Sequence, residues 1–201
     1  MSLLDLLKSA AVRRGFALPS DDLDAAMVFS LVRDMPYHRA SDRKPETIIT
    51  EWRGTCSGKH YLLQTLFTEL GLTSQVIACT TTTPIESKYI PPELQALYQE
   101  ANRRFVDVHN YLLLEVPQGG RMIVDATWPL SARQAGMVSN ESFVFGEDQD
   151  LAAEPIENWA IPEGRDPQEF KEELLHKHFT PAELEFMEIV IQAKSEDTHG
   201  V

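Results

Sequence analysis

Cys56 is the residue whose type and position first indicate chemistry. It stands in the stretch RGTCSGK (residues 53–59), directly before an apolar pattern that predicts a helix from Ser57 to Leu70. A cysteine at the start of a helix lies at the positive end of the helix dipole, beside backbone N–H groups, and both favour the thiolate over the thiol. The same N–H groups stabilise negative charge that develops on a carbonyl oxygen. Cys56 is therefore a candidate nucleophile, with a buried core cysteine as the alternative.

A general base and its partner are predicted on a β-hairpin further along the chain. Alternating apolar residues predict two strands, over about residues 106–116 and 122–128. His109 and Asp125 both point away from the apolar face of these strands. If the chain reverses near residues 117–118, the two are direct or diagonal neighbours, and the carboxylate orients the imidazole. A reversal centred two residues later moves them four residues apart and prevents the pairing.

Three further residues are candidates to support this chemistry. His60 follows Cys56 by four positions and so lies on the same helical face. It is a rival to His109 as the imidazole partner, or else a satisfied histidine at the edge of the core. Trp52 and Asn110 are candidate oxyanion donors, although the backbone N–H of Cys56 is favoured for that role.

These motifs together resemble the transglutaminase-like superfamily of papain-related cysteine enzymes. The likeness is carried by a Gly-x-Cys motif at Cys56, a Leu-rich helix ending in ELGL (residues 69–72), a β-run, a histidine in the next strand and the stretch VDATW (residues 124–128). The resemblance implies that Cys56 attacks an amide or peptide carbonyl to form a thioester, with His109 as the base and Asp125 as its orienter. It implies no metal or organic cofactor. Family members cross-link proteins, hydrolyse peptides or amides, or have lost activity.

The order of the predicted elements indicates an α+β protein, with helices first, strands in the middle and helices last. We expect a transglutaminase-like core over residues 45–130, in which an antiparallel sheet packs on the helix that bears Cys56 at its N-terminus. N-terminal helices over residues 1–35 precede this core, and an acidic C-terminal extension with two helices follows it over residues 131–201. We assign all 201 residues to a single domain.

Two other interpretations of the Cys56 region are weaker. Residues 54–59 imitate a phosphate-binding loop, but three residues instead of four separate the glycines, and His60 stands where Ser or Thr would bind magnesium. Cys56, His60 and His109 also lack the paired spacings of a metal site. We therefore predict neither a nucleotide nor a metal here.

Composition limits the classes of partner. The formal net charge is −13, and residues 141–201 carry most of it, with 16 acidic and 4 basic side chains. Such a surface repels a phosphate backbone, which argues against nucleic-acid binding. No apolar stretch reaches the roughly 18–20 residues of a membrane helix, and the acidic start is untypical of a signal peptide. We expect the protein to be cytoplasmic and to bind no membrane.

The sequence therefore predicts an enzyme that performs thiol-dependent acyl chemistry on a peptide, protein or small amide substrate. Hydrolysis is favoured over protein cross-linking, because a chain of this size shows no module for holding two proteins. The alternative is a catalytically silent module of the same fold that binds a protein partner through its acidic C-terminal helices. A coenzyme A-dependent acetyltransferase would use the same three residues, but no coenzyme site is recognisable. The oligomeric state is not indicated.

Overall fold

The structure of the protein is a computed structural model that describes residues 2–117, 119–162 and 164–197, and for residues 193–197 the backbone alone. The protein has an α+β fold with a four-stranded antiparallel sheet and several helices. The strands are β1 (Ser74–Pro84), β2 (Arg104–Glu115), β3 (Arg121–Val124) and β4 (Glu157–Ala160). Their order in the sheet is β3-β2-β1-β4.

Seven α-helices lie in the described part of the chain. They are α1 (Leu3–Arg14), α2 (Ala25–Arg33), α3 (Pro45–Glu51), α4 (Cys56–Glu69), α5 (Gln95–Glu100), α6 (Pro167–His178) and α7 (Pro181–Asp197). Short 3₁₀ turns occur at Ser87–Tyr89, Pro92–Leu94 and Leu130–Ala135. Among these helices, none combines the length and the apolar composition that crossing a bilayer requires.

The chain divides into two compact units. The first comprises residues 1–77 and 110–153, and the second comprises residues 78–109 and 154–201. Strands β1 and β2 therefore each contribute residues to both units.

Helices α1 to α4 form the core of the first unit, because α4 packs against the other three. Their apolar faces supply its most deeply buried side chains, among them Leu7, Val28, Phe29, Ile48, Leu62, Leu66 and Phe67. Burying each such side chain stabilises the fold by about 1.5–3 kcal/mol.

A carboxylate from the end of α4 holds the start of α1. The two oxygens of Glu69 accept hydrogen bonds from the backbone N–H groups of Leu3 and Leu4, each at 2.9 Å. Ser2 and Asp5 complete the same helix start as a capping box, in which each side chain binds the other residue's backbone N–H. The N-terminus of α1 is thus fixed both locally and by a residue far along the chain.

The second unit has its own apolar core. Ala78, Val106 and Val108 of the sheet pack with buried residues of α6 and α7 and with Phe179 between these helices. Glu183 caps α7, since one of its oxygens accepts from the backbone N–H of Thr180 at 2.8 Å. Its other oxygen accepts from Arg104 Nε at 2.8 Å, so the same buried carboxylate ties α7 to β2.

Most regular elements match the sequence analysis. The helix predicted over residues 57–70 is α4, and the two C-terminal helices are α6 and α7. The hairpin register is also observed, with Leu112 opposite Val124. This register centres the reversal near residue 118, which itself lies outside the described residues.

Several local predictions were wrong, each for a structural reason. Ser20 and the two acidic residues after it are typical of a helix start, but the second helix begins after Asp24, whose side chain accepts from Met27 N at 2.8 Å. The apolar residues within 142–145 indicate a possible short strand, but the structure has no strand there, and Phe143 is buried by packing against aromatic rings instead. The second hairpin strand ends at Val124, because the backbone beyond it bonds to side chains.

Two elements were missed. Residues 36–50 are polar and predict an irregular segment, but they include most of helix α3, which is only seven residues long. Residues 131–165 have the composition of a loop, but they contain strand β4, which has four residues. Both are too short to show a clear period in the sequence.

Candidate functional site

Cys56 is the first residue of α4, and it is buried, with 2% of its surface exposed. The first hydrogen bond of this helix runs from Lys59 N to Thr55 O at 2.9 Å. Since each helical N–H bonds to the carbonyl four residues earlier, the N–H groups of residues 56–58 point out of the end of the helix. The backbone around Cys56 is therefore rich in hydrogen-bond donors, as the sequence predicted.

Ser57 and Asn110 form a buried polar chain next to the sulfur. Ser57 Oγ lies 3.9 Å from Cys56 Sγ and donates a hydrogen bond to Asn110 Oδ1 at 2.8 Å. Asn110 Nδ2 in turn donates to Ile77 O at 3.4 Å. Asn110, a candidate oxyanion donor, thus contacts the neighbour of Cys56 and anchors it to strand β1.

Both ring nitrogens of His60 bind the backbone. Nδ1 lies 2.7 Å from Cys56 O, and Nε2 lies 2.9 Å from the backbone nitrogen of Ala126. Because a carbonyl oxygen accepts and an N–H donates, Nδ1 carries the proton, and the lone pair of Nε2 receives the Ala126 hydrogen. This geometry gives His60 a supporting position and leaves its basic nitrogen occupied.

Asp125 organises the segment that follows β3. Its Oδ1 accepts from Thr127 N at 2.9 Å and its Oδ2 from Ala152 N at 2.8 Å. Its own backbone N–H donates to Gln149 Oε1 at 2.8 Å. Asp125 Oδ1 also lies 3.6 Å from His60 Nε2. The carboxylate is therefore held beside α4 by backbone N–H groups.

Lys59 is a charged residue in the core of the first unit. It is fully buried, and its Nζ donates to Arg33 O and to Thr127 O, both at 2.9 Å. Burial lowers the pKa of Lys59 from its usual 10.5 to about 7, against the opposing effects of the Asp34 and Asp125 carboxylates. A deprotonated Cys56 also raises the pKa of Lys59, so the two groups interact electrostatically.

An ion pair at the end of α2 adjoins Lys59. Arg33 binds Asp34 through two nitrogens, at 3.0 Å and 2.6 Å, and also donates to the carbonyl of Glu141 at 2.7 Å. Burial tends to raise the pKa of Asp34, but the hydrogen bonds from Arg33 and from the N–H of Leu130 hold it below its usual 3.8. Asp34 is therefore an anion close to the Lys59 ammonium.

Packing explains the glycines that flank Cys56. A Cβ atom on Gly58 would lie 2.8 Å from Cδ1 of Ile48, and one on Gly54 would lie 3.2 Å from Cγ of Lys59. Gly58 thus lets α4 approach α3, and Gly54 makes room for the lysine stem. Packing therefore explains the two glycines that this stretch shares with a phosphate loop.

His109 lies on β2 and is buried, with 4% of its surface exposed. It belongs to the second unit, whereas Cys56, His60 and Asp125 belong to the first. The structure therefore brings Cys56, His60 and Asp125 together within one unit. The pairing of His109 with Cys56 or Asp125 stays a prediction from the sequence.

Trp52 lies in the packing between α1 and α3. It ends α3 with a left-handed backbone (φ 56°), and its ring stacks on Phe16 with centroids 5.6 Å apart. The guanidinium carbon of Arg14 lies 5.0 Å from the centre of the same ring. These contacts account for the burial of Trp52, and its oxyanion role stays a prediction from the sequence.

Lys59 and Ser57 are the site residues that sequence reasoning missed. A signal for Lys59 was present, since Lys59 precedes Leu62 and Leu63 by three and four positions and so lies on the apolar face of α4. Within the described residues, no three His, Cys, Asp or Glu side chains converge to hold a metal ion.

Comparison with known proteins finds no match to this chain among protein families, curated proteins or solved structures. The functional assignment therefore depends on the residues and geometry described above.

Proposed function

We propose that the protein performs thiol-dependent acyl chemistry on an amide or peptide bond, within a transglutaminase-like fold. Cys56 is the nucleophile, His109 the general base and then general acid, and Asp125 the residue that orients the imidazole. The observation that carries this proposal is the position of Cys56 as the first residue of a fourteen-residue helix, where backbone N–H groups point out of the helix end. The role of His109 is inferred from the sequence and its resemblance to the superfamily.

The proposed reaction has two stages. The Cys56 sulfur attacks the carbonyl carbon while its proton passes to the imidazole, and N–H groups at the start of α4 stabilise the negative oxygen. The C–N bond then breaks, the leaving amine takes the proton from the imidazolium, and a thioester remains. Water then attacks the thioester carbon while the imidazole takes its proton; the C–S bond breaks, the acid is released, and the imidazolium returns the proton to the sulfur. These steps call for no metal or organic cofactor.

The bonds of Asp125 are compatible with its proposed role. Its two oxygens accept from the N–H groups of Thr127 and Ala152, which favours the ionised carboxylate.

A catalytically silent binding module is the second candidate, and the burial of Cys56 favours it. With 2% of the residue exposed, a substrate reaches the sulfur only after the side chains above it move. Buried cysteines that never meet solvent are usually inert.

Alkylation by iodoacetamide separates the two candidates. Because Cys79 is also buried, mass spectrometry of both cysteine peptides in one sample provides an internal reference. An activated Cys56 should react at least about tenfold faster than Cys79 at pH 7, with a pKa well below 8.5. His109→Ala should remove most of this advantage, while His60→Ala tests the rival imidazole in the same assay. Equal, slow labelling of both cysteines would support the binding module.

A further inference from the structure

We propose that Lys59 is a positioning residue of this site: by binding two backbone carbonyls it holds the Asp125–Thr127 segment against the first turn of α4, and its positive charge stabilises the thiolate of Cys56. The inference rests on the proposed function, because it concerns the ionised nucleophile. It assigns a role to the buried ammonium of Lys59, which takes no part in the proposed acyl-transfer steps.

Two consecutive residues of α4 bind consecutive residues of the segment after β3. His60 Nε2 accepts the N–H of Ala126 at 2.9 Å, and Lys59 Nζ donates to Thr127 O at 2.9 Å. The segment of residues 125–127 is thus held by one hydrogen bond to His60 and one from Lys59, and Asp125 is its first residue. The position of this carboxylate relative to the Cys56 helix turn consequently depends on Lys59.

The second hydrogen bond of Lys59 gives the ammonium a fixed location. Nζ also donates to Arg33 O at the end of α2, so the same group joins α2, α4 and the segment after β3. A buried ammonium held by neutral carbonyls keeps its field in a medium of low dielectric constant, where a neighbouring thiolate feels it strongly. Lys59 follows Cys56 by three positions, a spacing at which helical side chains are neighbours.

Several charged and titratable groups surround Lys59. Asp34 and Arg33 face it from the end of α2, Asp125 faces it from the segment after β3, and Cys56 lies on its own helix. Burial lowers its pKa to about 7, the carboxylates and the Cys56 thiolate raise it, and Arg33 lowers it. Because this interaction is reciprocal, a protonated Lys59 must favour the Cys56 thiolate.

The pKa of the Cys56 thiol is the quantity that tests the inference. It is obtained from the pH dependence of iodoacetamide alkylation in the wild-type protein, in Lys59→Met and in Lys59→Gln, which keeps donors for the carbonyls but lacks the charge. We expect both variants to raise the thiol pKa by about one unit, which slows alkylation about tenfold at pH values below both thiol pKa values. Lys59→Arg should retain the wild-type value. The control Lys177→Met, at an exposed position of α6, should change nothing.

A second measurement guards against variants that fail to fold. The titration of the Lys59 ammonium is followed by NMR in the wild-type protein and in Cys56→Ser. Loss of the thiolate should lower the pKa of Lys59 by about half a unit or more. Folding of every variant is checked by near-ultraviolet circular dichroism.

Different outcomes overturn the inference and the proposed function. If Cys56 keeps a low thiol pKa in folded Lys59→Met and Lys59→Gln, or if Cys56→Ser leaves the titration of Lys59 unchanged, the inference fails and the acyl chemistry stands. If the wild-type Cys56 thiol titrates as an ordinary cysteine and reacts no faster than Cys79, the proposed function fails and the inference fails with it.

Discussion

At the scale of single residues, the burial of the Lys59 ammonium has a large free-energy cost. Moving an ammonium group out of water costs several kcal/mol even after relaxation, and two carbonyl hydrogen bonds offset part of that cost. The remainder appears as a pKa of about 7 in place of 10.5. The fold therefore tolerates Lys59 more easily when it is neutral.

This predicts that the protein gains stability as the pH rises above 7. Between the folded pKa of about 7 and the unfolded value of 10.5, the unfolded chain binds more protons at Lys59, so the free energy of unfolding rises with pH. The expected slope from this group approaches about 1 kcal/mol per pH unit. Urea unfolding of the wild-type protein and of Lys59→Met at pH 6 to 9 measures the difference. Parallel pH profiles of the two proteins would contradict the prediction.

The sequence located some of these residues and missed others for a definite reason. Cys56 at the helix start follows from the apolar period after it, and the two hairpin strands follow from the alternation of apolar residues, which left their register open between two reversals. The partners of His60 and Lys59 are backbone atoms of residues 126 and 127, far along the chain. Nothing in side-chain type or spacing reveals a backbone acceptor that tertiary folding brings near.

At the scale of elements, the packing of α3 against α4 depends on a glycine. Gly58 lies in the first turn of α4 and faces Ile48, whose side chain is 1% exposed. An alanine in a helix normally stabilises it relative to glycine by about 0.5–1 kcal/mol. Here the added methyl group would meet Cδ1 of Ile48 at 2.8 Å.

We predict that Gly58→Ala destabilises the protein by about 1 kcal/mol, because overpacking outweighs helix propensity. In an Ile48→Val background, which lacks Cδ1, the same substitution should be neutral or stabilising. The free energies from urea unfolding of the four proteins give the coupling between the two positions. An equal effect of Gly58→Ala in both backgrounds would refute the packing argument.

The elements that the sequence predicted correctly are long and periodic. Helix α4 has fourteen residues and a clear apolar period, whereas α3 has seven and β4 has four. The prediction of a strand over residues 142–145 was wrong because apolar character alone does not distinguish a paired strand from an irregular segment. There, Phe143 is buried by aromatic contacts with Phe29 and Phe67.

At the scale of the whole molecule, charge is the dominant asymmetry. The net charge is −13, and the last 61 residues contribute most of it. Many of these acids are exposed on β4, α6 and α7. Like charges at this density repel one another and favour the expanded chain.

We predict that sodium chloride stabilises the protein, because salt screens this repulsion. Neutralising three exposed acids, Glu154→Gln, Glu157→Gln and Glu185→Gln together, should raise the free energy of unfolding by about 0.5–1 kcal/mol at low salt and weaken the salt dependence. Lys177→Gln, which adds net negative charge, should act in the opposite direction. Thermal unfolding from about 0.01 to 0.5 M salt measures both effects. A triple variant that is less stable than the wild type at low salt would refute the prediction.

The hydrogen bonds between Glu69 and the start of α1 have a practical consequence for versions of the protein that are shortened at the N-terminus. Glu69 is the last residue of α4, so its negative charge lies at the negative C-terminal end of the α4 dipole. The positive N-terminal end of α1 lies beside the same carboxylate and compensates for this repulsion. Deleting residues 2–5 would remove the backbone N–H groups of Leu3 and Leu4 that bind Glu69. Affinity tags therefore belong ahead of these residues, not in their place.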